Sequence, residues 1–250
     1  DVKKGAITAL GEMAAHTGTH FCPFLESTMQ VFQKAALNWH PLIKAEVAEA
    51  LPSLIRPSIA AYHNGEIQWK KDDTSSNYMS QHTAAIVGAV MTEELTLMKD
   101  DEKAVVAKAC ESIQTIIELC GPAALAFCQN ECFEATHNIL LKSAPCQLND
   151  SFFDGEEEED EDEEHDGVLR AACDLVGAFG RVLGGRFAQF LPQFLPTLVE
   201  YSKASRPVAD RSMAVGCLSE IAQEVGVPIH GHWKNIFLPC TLAGLSDPDN

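Results

Sequence analysis

The residues with the clearest chemical potential form one acidic run between Asp150 and Asp166. The run holds twelve Asp and Glu residues and no Lys or Arg, in a chain whose formal net charge is −18. Charges at this density repel one another, and too few apolar side chains accompany them to build a core. The run therefore predicts a disordered acidic loop over 146–166. The candidate partner-binding residues are Glu156, Glu157, Glu158, Glu159, Asp160, Glu161, Asp162, Glu163 and Glu164.

The sign of this charge selects the partner. Strongly basic protein segments match it, whereas nucleic acid carries the same sign and is not expected to bind directly. An isolated charge run is more often a solubilising loop without a partner. Here the run lies inside the helical array described below and faces whatever that array holds, which favours a binding role.

Cysteine and histidine could supply a metal site near the middle of the chain. Cys128 and Cys132 lie one helical turn apart, and His137 follows them. Zinc needs four ligands, usually in paired spacing, and no second pair appears nearby. The nine cysteines are odd in number and fall mostly on apolar faces, so we expect reduced core residues. We predict no metal site and no cofactor.

Common enzyme motifs are absent from the sequence. There is no Gly-x-x-x-x-Gly-Lys-Ser/Thr loop, no His-Glu-x-x-His and no Gly-x-Ser-x-Gly. We therefore predict no catalytic residues and no enzyme activity. No apolar run approaches the roughly 18 residues that a membrane-spanning helix needs, so membrane insertion is not expected.

Four glycines share one register that defines the elements around these residues. Each closes a helical pattern in which apolar residues recur at a period of 3.6, and each follows an alanine by twelve positions. Glycine is the usual helix stop because it adopts positive φ without strain, and the alanine leaves room for a neighbouring helix. The glycines are Gly18, Gly121, Gly184 and Gly226, and the alanines are Ala6, Ala109, Ala172 and Ala214.

The spacing of the glycines indicates tandem helix pairs. Gly184 and Gly226 are 42 residues apart, within the period of about 40–47 residues of HEAT and armadillo units. Longer intervals predict insertions at 62–79 and at the acidic run. The predicted fold is all-α, a right-handed α-solenoid of about five HEAT-like helix pairs in one continuous array over 1–250. Neither end shows a polar cap, so we read the chain as part of a longer array. The first helices of the pairs are expected at 2–16, 41–61, 103–120, 168–183 and 208–225.

With repeats and insertion placed, the chain resembles the importin-β (karyopherin-β) superfamily, most specifically over about its last hundred residues. An acidic loop followed by this helix pair is a stronger signal than a bare repeat match. The segments that carry the resemblance are EEEEDEDEE at 156–164, LRAACDLVGAF at 169–179, LGGRF at 183–187, FLPQFLP at 190–196 and DRSMAVGCLSEI at 210–221.

The resemblance implies a nuclear import receptor that shuttles between cytoplasm and nucleus. Such a receptor binds cargo in the cytoplasm, contacts nuclear pore proteins, and releases cargo when Ran-GTP binds in the nucleus. It further implies basic cargo, such as core histones or ribosomal proteins, and an acidic loop that reaches toward Ran or cargo. Two other readings stay open: a HEAT scaffold such as a phosphatase regulatory subunit, and a histone-binding chaperone-like protein that does not shuttle.

Overall fold

The computed structural model describes residues 2–73, 75–148 and 158–246, with the backbone alone at Ser76 and over 158–166. The described residues form helices and turns, without a strand. In chain order the α-helices are α1 (Val2–His16), α2 (Leu25–Ala36), α3 (Pro41–Ala50), α4 (Arg56–Tyr62), α5 (Gln81–Leu97), α6 (Lys103–Cys120), α7 (Gln129–Leu140), α8 (Pro145–Leu148), α9 (Glu158–Leu183), α10 (Leu191–Tyr201), α11 (Val208–Val225), α12 (His230–His232) and α13 (Leu238–Leu245).

These elements form five helix pairs that stack in two layers. In the first layer α1 packs on α3, α3 on α6, α6 on α9 and α9 on α11. The second layer comprises α2, α5, α7, α10 and α13. Nearly all the buried apolar side chains belong to one continuous cluster. The predicted α-solenoid of HEAT-like pairs is confirmed.

Most first-layer helices have the bounds that the apolar period predicts. The predicted ranges 2–16, 103–120 and 208–225 match α1, α6 and α11. The predicted helix over 41–61 is interrupted by a bend. A 3₁₀ turn over Leu51–Ile55, with Pro52 near its start, separates α3 from α4. Proline has no backbone N–H to continue the α-helical ladder, which accounts for the bend.

Glycines end these helices as predicted. Gly121 follows α6 with φ of 72°, and Gly226 follows α11 with φ of 68°. A side chain at such an angle would be strained, so glycine lets the chain turn sharply into the second helix of the pair.

The first pair departs from the predicted register. Ala6 is exposed and Met13 is 53% exposed, whereas Ile7, Gly11 and Ala14 are buried. Gly11 is the residue that admits the neighbouring helix, since a Cβ there would lie 3.1 Å from the Cβ of Ala50. The prediction that Ala6 makes this close approach is wrong, because the face of α1 that meets α3 is rotated by one residue.

The helix α9 also begins earlier than the sequence predicts. The acidic loop was predicted over 146–166 with a helix from Val168, but α8 covers Pro145–Leu148 and α9 already begins at Glu158. Glutamate has a helix propensity close to that of alanine, and acidic residues near a helix N-terminus interact favourably with the helix dipole. The prediction considered charge repulsion and the lack of apolar side chains, but not the helix propensity of glutamate. Residues 149–157 lie outside the described part of the chain.

The insertion at 62–79 does form a loop, and it packs against distant repeats. We call residues 63–80 the strap. The indole Nε1 of Trp69 donates to the carbonyl of Glu118 at 3.1 Å, and the Trp69 ring fills the space where Gly121 has no side chain. Ile67 is buried. These two apolar residues therefore hold the loop against the body of the protein.

Beyond Trp69 the strap reaches the fourth and fifth helix pairs. The backbone N–H of Asp72 donates to the carbonyl of Val182 at 3.2 Å, and the backbone N–H of Arg186 donates to Asp72 Oδ1 at 3.1 Å. Lys71 forms an ion pair with Glu224 at 2.5 Å. The strap therefore crosses the turns of three successive pairs before the chain returns to α5.

Phe179 tests the predicted stacking of repeats. It is fully buried, with its ring centroid 4.5 Å from that of Phe133. We expect Phe179→Ala to lower the free energy of unfolding by about 3–5 kcal/mol, because it leaves a cavity between α7 and α9. Chemical denaturation measures this loss. Phe127→Ala is the matched control, since Phe127 is 81% exposed; equal stability losses in the two variants would contradict the packing described here.

Trp69→Ala tests the docking of the strap. Loss of the indole removes its hydrogen bond to Glu118 and its packing at Gly121, so strap amides should exchange with solvent about tenfold faster. Hydrogen–deuterium exchange of residues 63–80 and of the turn after α6 makes the comparison. Gln68→Ala, a change at an exposed neighbour, should leave these rates unaltered. Unchanged exchange in Trp69→Ala would show that the strap is held without it.

Glu94 predicts an unusual dependence of stability on pH. Its side chain is fully buried, and its carboxylate oxygens have no hydrogen-bond partner in the described part of the chain. Burial first, and then the neighbouring Glu93, raise the pKa of Glu94 well above 4.5. The folded chain therefore keeps a proton that the unfolded chain releases as pH rises above about 4.5, so this group lowers stability as pH rises.

We expect Glu94→Met to stabilise the protein by about 1–3 kcal/mol at neutral pH, because it removes an unpaired buried polar group. The gain should be larger at pH 8 than at pH 5. Denaturant melts at both values measure it, with Glu134→Met on the exposed face of α7 as control. A gain that does not grow with pH would contradict the buried, proton-retaining carboxyl.

Candidate partner-binding site

The acidic candidates lie at the start of α9. Glu158, Glu159, Asp160, Glu161, Asp162, Glu163 and Glu164 are in its first seven residues, while Glu156 and Glu157 lie outside the described residues. α9 has 26 residues, whereas its neighbours α6 and α11 have 18 each. The acidic residues thus form an N-terminal extension of a first-layer helix, which we call the acidic extension (residues 158–166).

The part of α9 that follows the extension is fixed in the core. Val168 and Ala172 are fully buried, and the helix packs between α6 and α11. Near its other end Arg181 bridges three helices, with one guanidinium nitrogen on Glu118 of α6 and the other on Glu220 of α11. The backbone that carries the acidic residues is therefore continuous with a rigidly held helix.

Several cations on the body of the protein form ion pairs with carboxylates of the body. A Lys or Arg that is already paired has less attraction left for another anion, so an external cation is the natural complement of the acidic extension. The described pairs include Lys44 with Asp100, Lys71 with Glu224, Lys99 with Glu131, Lys108 with Glu111, Arg181 with Glu118 and Glu220, and Lys203 with Glu200.

The cysteine and histidine group near α7 is packed in the core. Cys132 is fully buried and Cys128 partly so, and burial raises the pKa of both thiols, that of Cys128 to about 11. Burial also lowers the pKa of His137. Metal binding to cysteine needs the thiolate, and these pKa shifts oppose its formation. Among the described residues no group of three or more potential ligands could hold a metal ion.

The structure also contains a groove that the sequence did not predict. It lies between α2 and α5, the second helices of the first two pairs, and has a volume of about 510 Å³. Met29 and Ile86 are among its apolar lining, and the stacked rings of Tyr62 and His82 border it, with centroids 5.1 Å apart. We call it the α2–α5 groove. The signal in the sequence is a stripe on α5 at 82, 85, 86 and 89, which has helical spacing.

At the other end of the groove a carboxylate meets an amide. Gln33 lines the groove, and its side-chain amide lies next to the carboxylate of Glu93 on α5, one turn beyond Ala89. Partial burial raises the pKa of Glu93, and the polar contact with Gln33 opposes that rise. Glu26 also lines the groove, which has no Lys or Arg in its described lining. The described lining therefore mixes apolar and polar side chains and has one carboxylate, that of Glu26, while the carboxylate of Glu93 lies beyond its end.

In the described part of the chain, no helix has both the length and the apolar character needed to cross a bilayer.

Comparison with known proteins identifies relatives along nearly the whole chain. No protein-family model matches it. The chain is 30% identical to importin-4 of Mus musculus over 90% of its length. It is 29% identical to a probable importin subunit beta-4 of Schizosaccharomyces pombe over 99%, and 27% identical to importin-4 of Homo sapiens over 100%. The chain spans only 20–24% of the length of these relatives.

Proposed function

We propose that this chain, which corresponds to one segment of the importin-β family, captures basic proteins as part of a nuclear transport receptor. The observation that carries the proposal is the acidic extension of α9. Its negative charge suits Lys- and Arg-rich proteins, and the helix that bears it is fixed between α6 and α11. Because the rest of α9 is fixed in the core, the acidic extension can bind a partner at a smaller cost in conformational entropy.

The proposed partners follow from the family and from the sign of the charge. Basic cargo, such as core histones or ribosomal proteins, would contact residues 156–164. Ran-GTP would release that cargo, and nuclear pore proteins would carry the complex between cytoplasm and nucleus. Because binding equilibria are linked, Ran-GTP that weakens cargo binding is itself bound more weakly when cargo is present.

The physical role of the acidic residues is steering. Exposed charges attract a basic partner over a distance set by the Debye length, roughly 8 Å at physiological ionic strength. Such attraction raises the association rate more than it slows dissociation. Packing elsewhere on the solenoid would then hold the partner after the encounter.

Neutralising the run tests this role. Replacement of the nine acidic residues at 156–164 by Gln or Asn should slow association with a lysine-rich cargo segment by about tenfold or more at low salt. The difference should shrink as salt rises, since added ions screen exposed charge. Stopped-flow association rates at low and high salt, measured with the full-length protein, make the comparison.

The chain offers a matched control with the same change in charge. Glu159, Glu161 and Glu163 can be replaced by Gln in one variant, and Glu12, Glu66 and Glu134 in another. Only the first should slow association. Equal rates for parent and fully neutralised protein at low salt would reduce the run to solubilising charge, and the scaffold reading would replace the receptor.

Addition of Ran-GTP separates the remaining readings. A receptor loses its basic cargo when Ran-GTP is added, whereas a scaffold or a histone-binding chaperone keeps its partner. Cargo retention in a pull-down with excess Ran-GTP would therefore contradict the transport function, even if the acidic run binds cargo.

A further inference from the structure

The α2–α5 groove has the shape of a site for a helix. Its walls are two neighbouring helices, and its lining extends along α5 from His82 to Ala89, with Glu93 one turn further. At about 1.5 Å per residue, the distance from position 82 to 93 is roughly 16 Å. About three turns of an α-helix fit this length, and amphipathic helices commonly bind in apolar grooves of this kind.

The floor of the groove can receive apolar anchors. Met29, Leu25 and Ile86 line it and are each only partly covered by the protein, while Leu54 closes it from below. Methionine adapts its shape to different partners because it is unbranched and polarizable. Ala85 and Ala89 leave space between the two helices rather than filling it. The groove thus suits one or two large aliphatic or aromatic side chains.

Two carboxylates set the charge of the partner. Glu26 lines the groove, and Glu93 lies beside Gln33 at its far end. Gln33 is seven residues beyond Glu26 on α2, a rise of about 10 Å along that helix, and Glu93 lies next to Gln33. Since the described lining contains no Lys or Arg, a partner with cations at this spacing would compensate both charges.

We infer that the α2–α5 groove binds a basic amphipathic helix from a partner protein. The helix presents large apolar side chains to Met29 and Ile86, and Lys or Arg to Glu26 and Glu93. Two turns of an α-helix rise about 10.5 Å, which matches the rise along α2 from Glu26 to Gln33, the neighbour of Glu93. The recognised pattern is therefore Lys or Arg at positions i and i+7, with apolar residues at i+3 and i+4.

This inference rests on the proposed function, because it specifies a second contact for the same class of basic partner. The groove adds selectivity among basic partners, which the acidic run cannot supply. Steering by exposed charge does not distinguish one lysine-rich protein from another, whereas an apolar groove with two charges at fixed spacing selects a sequence pattern.

A designed peptide provides the direct test. The probe is a fluorescein-labelled helical peptide of 15 residues with Arg at i and i+7 and Leu at i+3 and i+4, on an otherwise Ala- and Gln-rich background. Its binding is measured by fluorescence anisotropy with the 250-residue chain and with the full-length protein. We expect saturable binding, and at least fivefold weaker binding of a peptide in which both Arg residues are replaced by Gln.

Two variants of the protein locate the binding site. Ala89→Trp fills the groove from an exposed position and should weaken binding at least tenfold. Glu26→Lys should weaken binding about fivefold, and should bind a charge-reversed peptide, with Glu at i and i+7, better than the parent does. Glu12→Lys, an exposed change on α1, is the control. Because both groove positions are on helix surfaces, melting curves should match those of the parent.

The outcomes separate this inference from the proposed function. If the peptide still binds Ala89→Trp but no longer binds when residues 156–164 are neutralised, the groove is not its binding site and the acidic run is supported. If the groove variants weaken peptide binding, and neutralising residues 156–164 leaves the cargo association rate unchanged, the groove is supported and steering by the acidic run is contradicted. Equal affinity for the Arg and Gln peptides would overturn the charge pattern.

Discussion

The structure depends on the fact that no helix pair can bury its own apolar faces. Each first-layer helix is covered by the next one, and small residues allow the close approach. Ala109, Ala172 and Ala214 are fully buried where helices meet, and Gly11 serves α1 in the same way. Apart from a small cluster that contains Ala214, one continuous core results, extending from α1 to α13. Any segment that a partner contacts is therefore part of an array in which each helix is stabilised by packing against its neighbours.

Local patterns predicted the regular part of this frame. The apolar period and the closing glycine define α6 and α11 to the residue, because both signals lie within a few turns of the helix itself. The register of α1 and the course of the strap could not be predicted in this way. Each depends on a partner far along the chain: Ala50 for Gly11, and Glu118 for Trp69.

The sequence predicted which residues form the candidate site, but only part of its secondary structure. Charge counting identified the acidic run and the sign of its partner, but not that Glu158 begins a helix. A helix already nucleated in the core extends at low cost, and glutamate is a good residue for such an extension. The α2–α5 groove escaped prediction for a different reason. Its two walls come from separate pairs, so no single stretch of sequence contains it.

The strap changes how this protein is expected to fold. A solenoid with contacts only between adjacent repeats can form or lose its units one by one. The pair Lys71–Glu224 joins residues 153 positions apart, and closing so long a loop costs entropy before the contact returns any stability. The last two pairs must therefore be in place before the strap can dock on them. Once docked, it connects the second pair to the fifth, so we expect unfolding to be more cooperative than in an array with contacts between neighbours alone.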